Sequence, residues 1–389
     1  MTDLRDTQLD EDLAALLEES VAEAARRERS AFDEAAGPER ERLVLYGAGG
    51  QGIRVAHALR EHGLVPLAFV DRRPELWGAT VDGVPVLPPE EAAGRLGAGA
   101  TFVLTVWNEH FDYRQTEAEL AGLGCRRIVP LPALVWKYAD ALLPHLFFDL
   151  PHGILGEAGN LRRAFELLSD SLSRKIFVSQ LRLQLQGDPR DLPTTSDHVQ
   201  YFPPELPPLD AGSVFVDVGA YDGDTLRDWL AVERGARYVG LEPDPANFGR
   251  LQERVAHLSA AIRGRITLLP VAASDRRQRL RFGGYGSSAG ADPEGNIEVE
   301  AAPLEALDLP RPVTYLKVDV EGAEEEVLRG ARQVVAQDQP ALALAVYHHP
   351  ADLWQLPLLV AELCPAHTFL LRRYAQCGFE TVLYAIPPG

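Results

Sequence analysis

Acids and glycines stand at the ends of four strand-like runs in the second half of this chain. FVDVGAYDGDT at 215–225 carries Asp217 on a strand and opens into a loop with Gly219 and Gly223. YVGLEPD ends in Glu242, followed by Pro243. ITLLPVAASD ends at Ala272 to Asp275, and VTYLKVDVEG ends in Asp319 and Glu321. In an open α/β sheet, ligands sit at the carboxyl ends of the strands. The four ends therefore outline one pocket.

The residue types suggest its chemistry. A nucleoside cofactor with a charged amino-acid arm needs close backbone approach, which Gly219 and Gly223 permit. Ala220 and Tyr221 lie between those glycines. Glu242 sits where an acid would take the ribose hydroxyls. Asp217 could meet an ammonium group directly or through water, and Ala272 is small enough to let an adenine lie flat. Asp224 and Thr225 are equally placed to cap the next helix. The loop reads D-x-G-x-x-x-G, a spacing less suited to pyrophosphate and more to S-adenosylmethionine.

An alcohol acceptor needs a base. His348, after the run ALALAVYHHP, is the first candidate, and Asp319, as base or orienter, is the second, with Glu321 beside it. His348 could instead cap the turn before Pro350 or bind substrate. Carboxylates and imidazole also suit a divalent cation held by Asp319, Glu321 and a histidine, although no tight ligand spacing demands one. Lys317, one of three lysines, alternates with Asp319 on a strand and so points the same way. It either pairs with an acid or meets substrate. Tyr201, His349 and Ser288, in the loop GGYGSSAG, complete the candidate substrate contacts.

Residues from about 200 to 386 resemble the FkbM family of S-adenosylmethionine-dependent methyltransferases. The likeness rests on QYF at 200–202, FVDVGAYDGDT, GLEPDPANF at 240–248, AASD at 272–275, LKVDVEGAEEEVLRGA at 316–331 and GFETVLYA at 378–385. It implies a class I methyltransferase fold, with O-methylation of a sugar, nucleotide-sugar or other small polar natural product. It also implies that Asp217, Gly219, Gly223 and Glu242 bind the cofactor, with Ala272 and Asp275 near the adenine.

A second glycine loop lies earlier. LVLYGAGGQG at 43–52 is a full G-x-G-x-x-G of Gly47, Gly49 and Gly52, between a strand and a helix. LAFVD ends in Asp71, placed for a ribose contact. GAGGQG, FVDRRPELWG at 69–78 and DGVPVLP at 82–88 resemble the Rossmann-like N-terminal domain of sugar O-acyltransferases, which implies a nucleotide or nucleotide-sugar ligand.

The expected fold is α/β, with two Rossmann-like domains, the C-terminal one a class I methyltransferase sheet with a terminal antiparallel strand pair. The expected order is a helical segment over 1–40, a nucleotide-binding domain over 41–135, a helical connector over 136–210 and a methyltransferase domain over 211–389. The first helix could pack on its own domain, cap it or dimerise it. A net charge of −19 over 389 residues argues against nucleic acid and anionic membrane as partners. Three scattered cysteines argue against a disulfide framework or zinc cluster. The simple expectation is a cytoplasmic enzyme, a homodimer by the guess from the N-terminal helix, acting on a small-molecule acceptor. Two other readings stay open: an NAD- or nucleotide-sugar-dependent oxidoreductase or epimerase run by the N-terminal domain, and a non-catalytic nucleotide-binding scaffold.

Overall fold

The computed structural model describes residues 4–145, 147–283, 290–291 and 295–388. The chain forms two compact units. The N-terminal unit is Met1–Gly159 with Lys175–Thr195 and Ala375–Glu380; the C-terminal unit is Asn160–Arg174 with Ser196–Tyr374 and Thr381–Gly389. The expected connector over 136–210 is not a body of its own. The two units share it, and the division falls inside the helix Ser171–Gln186.

In the N-terminal unit six strands form one sheet: β1 (Leu43–Tyr46), β2 (Ala68–Val70), β3 (Thr80–Val81), β4 (Val84–Leu87), β5 (Thr101–Leu104) and β6 (Arg127–Pro130). Their order is β3-β4-β2-β1-β5-β6. All pairs are parallel except β3 with β4. That hairpin turns on Asp82 and Gly83, both at positive φ, as a two-residue Asp-Gly turn requires. The run RRIVPLPAL changes at Pro130: β6 stops there and Leu131–Lys137 is helical, with Pro132 in its first turn.

The N-terminal segment is two helices, Leu4–Leu16 and Val21–Ala36. Ser20 and Glu23 cap the second reciprocally, each side chain bonding the other's backbone. Its buried face repeats every four residues, Ala24, Glu28, Phe32 and Ala36. Phe32 and Ala36 join the core of this unit, so the helix packs on its own domain.

The C-terminal unit carries β7 (Val214–Val218), β8 (Arg237–Leu241), β9 (Ile266–Leu269), β10 (Ala272–Ala273), β11 (Gln278–Gly283), β12 (Gly290–Ala291), β13 (Ile297–Ala302), β14 (Tyr315–Val318), β15 (Ala341–Ala345), β16 (Thr368–Arg373) and β17 (Thr381–Ile386). Seven of them form a sheet ordered β16-β17-β15-β14-β7-β8-β9. Only β17 runs against its neighbours, between β15 and β16. This is the sheet of a class I methyltransferase. β7 and β15 are buried along their whole length, as parallel strands covered on both faces must be. The run ITLLPVAASD does not form one strand. β9 ends at Leu269, before Pro270, and β10 joins a separate small sheet ordered β10-β13-β11-β12. Among the described residues, no helix is long and apolar enough to cross a membrane.

Phe32→Ala should lower the stability of the N-terminal unit by about 3–5 kcal/mol, the usual result of emptying a core phenylalanine site. Denaturant unfolding monitored by tryptophan fluorescence measures it. A loss below about 1 kcal/mol would mean that the helix is an appendage and not part of this core.

Candidate active site at the strand ends of the C-terminal unit

The sheet order reverses between β7 and β14, and ligands of open α/β sheets bind at such reversals. Both strands end in short turns that press together. Gly219 has φ 85, and a Cβ there would lie 1.9 Å from the Asp319 carbonyl oxygen. Only glycine allows this approach. Tyr221 and Gly223 continue the loop at φ 46 and 92, and Gly223 caps the helix Asp224–Val232.

Beneath the turn lies a buried ion pair. Lys317 Nζ is 3.0 Å from Asp217 Oδ1 and donates to the Gly219 carbonyl at 2.7 Å. The side chains are 2% and 0% exposed. Tyr238 donates its hydroxyl to Asp217 at 2.5 Å. Burial opposes the lysine charge, but Asp217 and Asp319 outweigh it and hold Lys317 above the ordinary lysine value. Lys317 thus takes the acid-pairing role, one of its two expected alternatives, with Asp217 as its partner. Together they support the loop from below, because charges this deep must be spent on each other.

Glu242 ends β8 with its carboxylate fixed by two backbone donors, Tyr221 N–H at 2.9 Å and Asp244 N–H at 2.8 Å. Burial raises its pKa against those hydrogen bonds. The Asn247 side chain also bonds it; of the roughly four acceptor sites of a carboxylate one is left, so the group can still receive a ribose hydroxyl. The remaining loop candidates divide. The Ala220 side chain is in the core, so only its backbone is available. Thr225 is buried, while exposed Asp224 accepts from the Thr225 N–H at 2.7 Å, a helix-end role. Pro243 links Glu242 to Asp244, the side-chain cap of the helix Pro245–Ala256. Ala272 lies in β10, and Asp275 lies past it beside Gly330, where a Cβ would meet the Ser274 carbonyl at 1.9 Å.

Beyond β14 and β15 the acids converge on one imidazole. His348 Nδ1 is 2.8 Å from Glu324 Oε1, and Nε2 is 3.6 Å from Asp319 Oδ1 and 3.8 Å from Glu321 Oε2. Glu324 is 1% exposed and also accepts from the Val320 N–H at 2.9 Å. Asp319 Oδ1, Glu324 Oε2 and His348 Nε2 are buried without a hydrogen-bond partner in the protein. Tyr201 donates to the other Asp319 oxygen at 2.7 Å. Burial works against the His348 charge, yet Glu324, Asp319 and Glu321 raise its pKa to about 10. An imidazolium cannot accept a proton, so the field of these acids works against His348 as a neutral-pH base. Because the folded value exceeds the free one, the charge stabilises the fold fully below about pH 6.5 and the contribution is lost as pH rises through about 10.

Ligand atoms of Asp319, Glu324 and His348 lie within 4.8 Å of one another, close enough to share a cation. The expected trio had Glu321 in place of Glu324. Glu324 went unnoticed in the sequence because EEE at 324–326 reads as acids favouring a helix start; its distance of five residues from Asp319 was the available signal. His349 holds a turn instead of facing a ligand, with Nε2 3.0 Å from the Gly322 carbonyl and its N–H on Asp352 at 2.6 Å. Ser288 lies outside the described residues. In the N-terminal unit Gly47, Gly49 and Gly52 form the loop after β1, but Asp71 offers no free carboxylate: Ala48 N–H and the Arg73 backbone and guanidinium occupy it.

Residues 217–381 match the model of the Methyltransferase FkbM domain. The curated 2-O-methyltransferase NoeI of Sinorhizobium fredii (strain NBRC 101917 / NGR234) is 28% identical over 155 residues, covering 32% of this chain and 59% of that protein. The match thus spans under two thirds of that relative. The crystal structure of Methyltransferase FkbM from Methylobacillus flagellatus KT superposes with a TM-score of 0.76 at 21% identity, over 98% of this chain and 99% of the other. At that identity the likeness establishes the fold. Together these findings support a methyltransferase built on a class I fold.

Lys317→Met should cost about 3–5 kcal/mol, because it strands Asp217 without its counter-charge. Adding Asp217→Leu should recover most of that loss, since an apolar pair can replace a buried ion pair. Urea denaturation of the single and double variants separates the outcomes; equal loss in both would refute the supporting role of the pair.

Proposed function

We propose that the C-terminal unit methylates a hydroxyl of a sugar or other small polar metabolite, with S-adenosylmethionine as donor. The single observation behind this reading is the pairing of two features at one strand reversal: a glycine turn pressed onto Asp319, and unpartnered Asp319 Oδ1 and His348 Nε2 beside it. The relative's description as a 2-O-methyltransferase supports an oxygen acceptor.

The cradle fits the donor by its shape and its acids. The Gly219–Gly223 turn can take a close backbone approach, and Glu242 can receive a ribose hydroxyl. When bound, the donor supplies a methyl group already activated on a sulfonium. The protein's own task is then positioning and proton removal, and positioning alone accounts for much of such a rate. Asp319 is the base in this reading. Its Oδ2 is fixed by Tyr201, and its Oδ1 is left to receive the acceptor's proton. His348, protonated and anchored by Glu324, orients the carboxylates and can donate to the acceptor oxygen.

Two experiments test the reading. Incubation with S-adenosylmethionine and a panel of glycosides, followed by mass spectrometry, should yield a methyl ether; methyl appearing solely on nitrogen would reject the hydroxyl acceptor. Glu242→Ala should weaken S-adenosylhomocysteine binding about tenfold or more in calorimetry, the scale of a lost hydrogen bond to a charged group. The pH profile distinguishes the bases. With Asp319 as base, kcat/KM stays level across neutral pH and falls as His348 loses its proton near pH 10. A rate that climbs toward pH 10 would restore His348 as the base.

A further inference from the structure

A cavity of about 420 Å³ in the N-terminal unit opens on the loop between β1 and the helix Gly50–Glu61. It stands where the sheet order reverses between β1 and β5. The three glycines of the loop have separate tasks. Gly47 turns the chain at φ 118. Gly52 packs so closely that a Cβ would lie 1.9 Å from the Gly47 carbonyl oxygen. Gly49 instead faces space, and the nearest atom to its missing Cβ is Arg73 Nη2 at 3.9 Å. As N-cap it offers the helix start no side chain, so the first helical N–H groups face an opening that an anion can fill.

Independent observations point the same way. Trp107 is 6% exposed and lines the cavity, and its indole N–H has no hydrogen-bond partner. Gln51, also in the lining, leaves its buried amide Nε2 without one. Both are donors, and a buried donor without an acceptor is costly. Arg73 adds positive charge at the rim.

Asp71 sharpens the ligand class. In a dinucleotide domain an acid here takes a ribose diol. Here Oδ2 accepts from Ala48 N–H and Arg73 Nη2, both at 2.9 Å, and Oδ1 accepts from Arg73 N–H at 3.0 Å and Nε at 2.9 Å. The acid serves to aim the guanidinium. The site therefore presents donors where an oxidoreductase would present an acceptor. Its volume falls within the range of small-molecule pockets, about 300–1,000 Å³, and Tyr46, Val70 and Phe111 give it an apolar side for a base.

We propose that this cavity binds a nucleoside diphosphate, its phosphate oxygens on the helix start, Trp107, Gln51 and Arg73, and its base against the apolar side. The site is independent of the methyltransferase reading. Free nucleotides and nucleotide-sugars share this chemistry, and calorimetry on the full chain with ADP, UDP and UDP-glucose separates them. At least one should bind in the micromolar range, one per chain. A gain with UDP-glucose over UDP shows that the site extends to the sugar, and equal affinities show that it ends at the diphosphate. Trp107→Phe keeps an aromatic side chain and loses the indole N–H, so affinity should fall about tenfold or more; Gly49→Val should fill the cradle and abolish binding. S-adenosylhomocysteine affinity, measured in parallel, should not move in either variant, which controls for misfolding. No binding of any of the three below about 1 mM to the unmodified chain overturns the proposal. So does full affinity in both variants.

Discussion

Everything at the strand ends of the C-terminal unit depends on one ammonium group. Lys317 Nζ holds Asp217 on β7 and the Gly219 carbonyl at the start of the turn, and it lies 4.0 Å from Asp319 on its own strand. A lysine buried to this degree is costly unless its charge is spent on partners. Here the partners are the two turns that must meet. The ion pair therefore draws the β7 and β14 ends together, and glycine at 219 lets them touch. Tyr201 caps the arrangement, with its ring 5.1 Å from the ammonium and its hydroxyl on Asp319.

That support explains the charge pattern above it. Asp319 is held from one side by Tyr201 and from below by the field of Lys317, which leaves Oδ1 fixed in place. His348 then answers three carboxylates at once. Asp352, under the same turn, is pushed up to about 7 by burial and by Glu324, so this cluster sheds part of its negative charge through a proton. The imidazolium supplies positive charge where a cation would otherwise be called for by Asp319 and Glu324. In this state the histidine organises the acids around it.

Much of this was legible in the sequence because strand ends are marked by residue type. Asp217, Gly219, Glu242 and Asp319 stand at or just past the ends of apolar runs, and a parallel sheet brings those ends together. What the spacing lacks is depth. Lys317 reads as a site residue because it alternates with Asp319, and Asp217 because it precedes the glycine loop, but their strands are neighbours in register and covered on both faces, so the two side chains meet each other. His348 could be placed at a strand end, yet its protonation follows from Glu324, which helix-start chemistry concealed. The small sheet of β10 to β13 was not visible either. Its short strands pair locally, and Pro270 separates β10 from the apolar run that suggested one continuous strand.

The two glycine loops show how the same residue type serves opposite ends. At Gly219 the missing side chain is replaced at once by protein, the Asp319 carbonyl, so the glycine brings two strands into contact. At Gly49 nothing from the protein fills the space except an arginine aimed by Asp71. Spacing tells the loops apart, D-x-G-x-x-x-G from Asp217 and G-x-G-x-x-G from Gly47, but not how each acid beside them is used. The partners of each acid separate them: Glu242 keeps an acceptor site, whereas Asp71 has given its oxygens to a guanidinium and two backbone N–H groups. An acid with capacity to spare reads a hydroxyl, and an acid already satisfied presents its arginine instead. On the readings proposed above, the first arrangement suits a ribose hydroxyl and the second a phosphate.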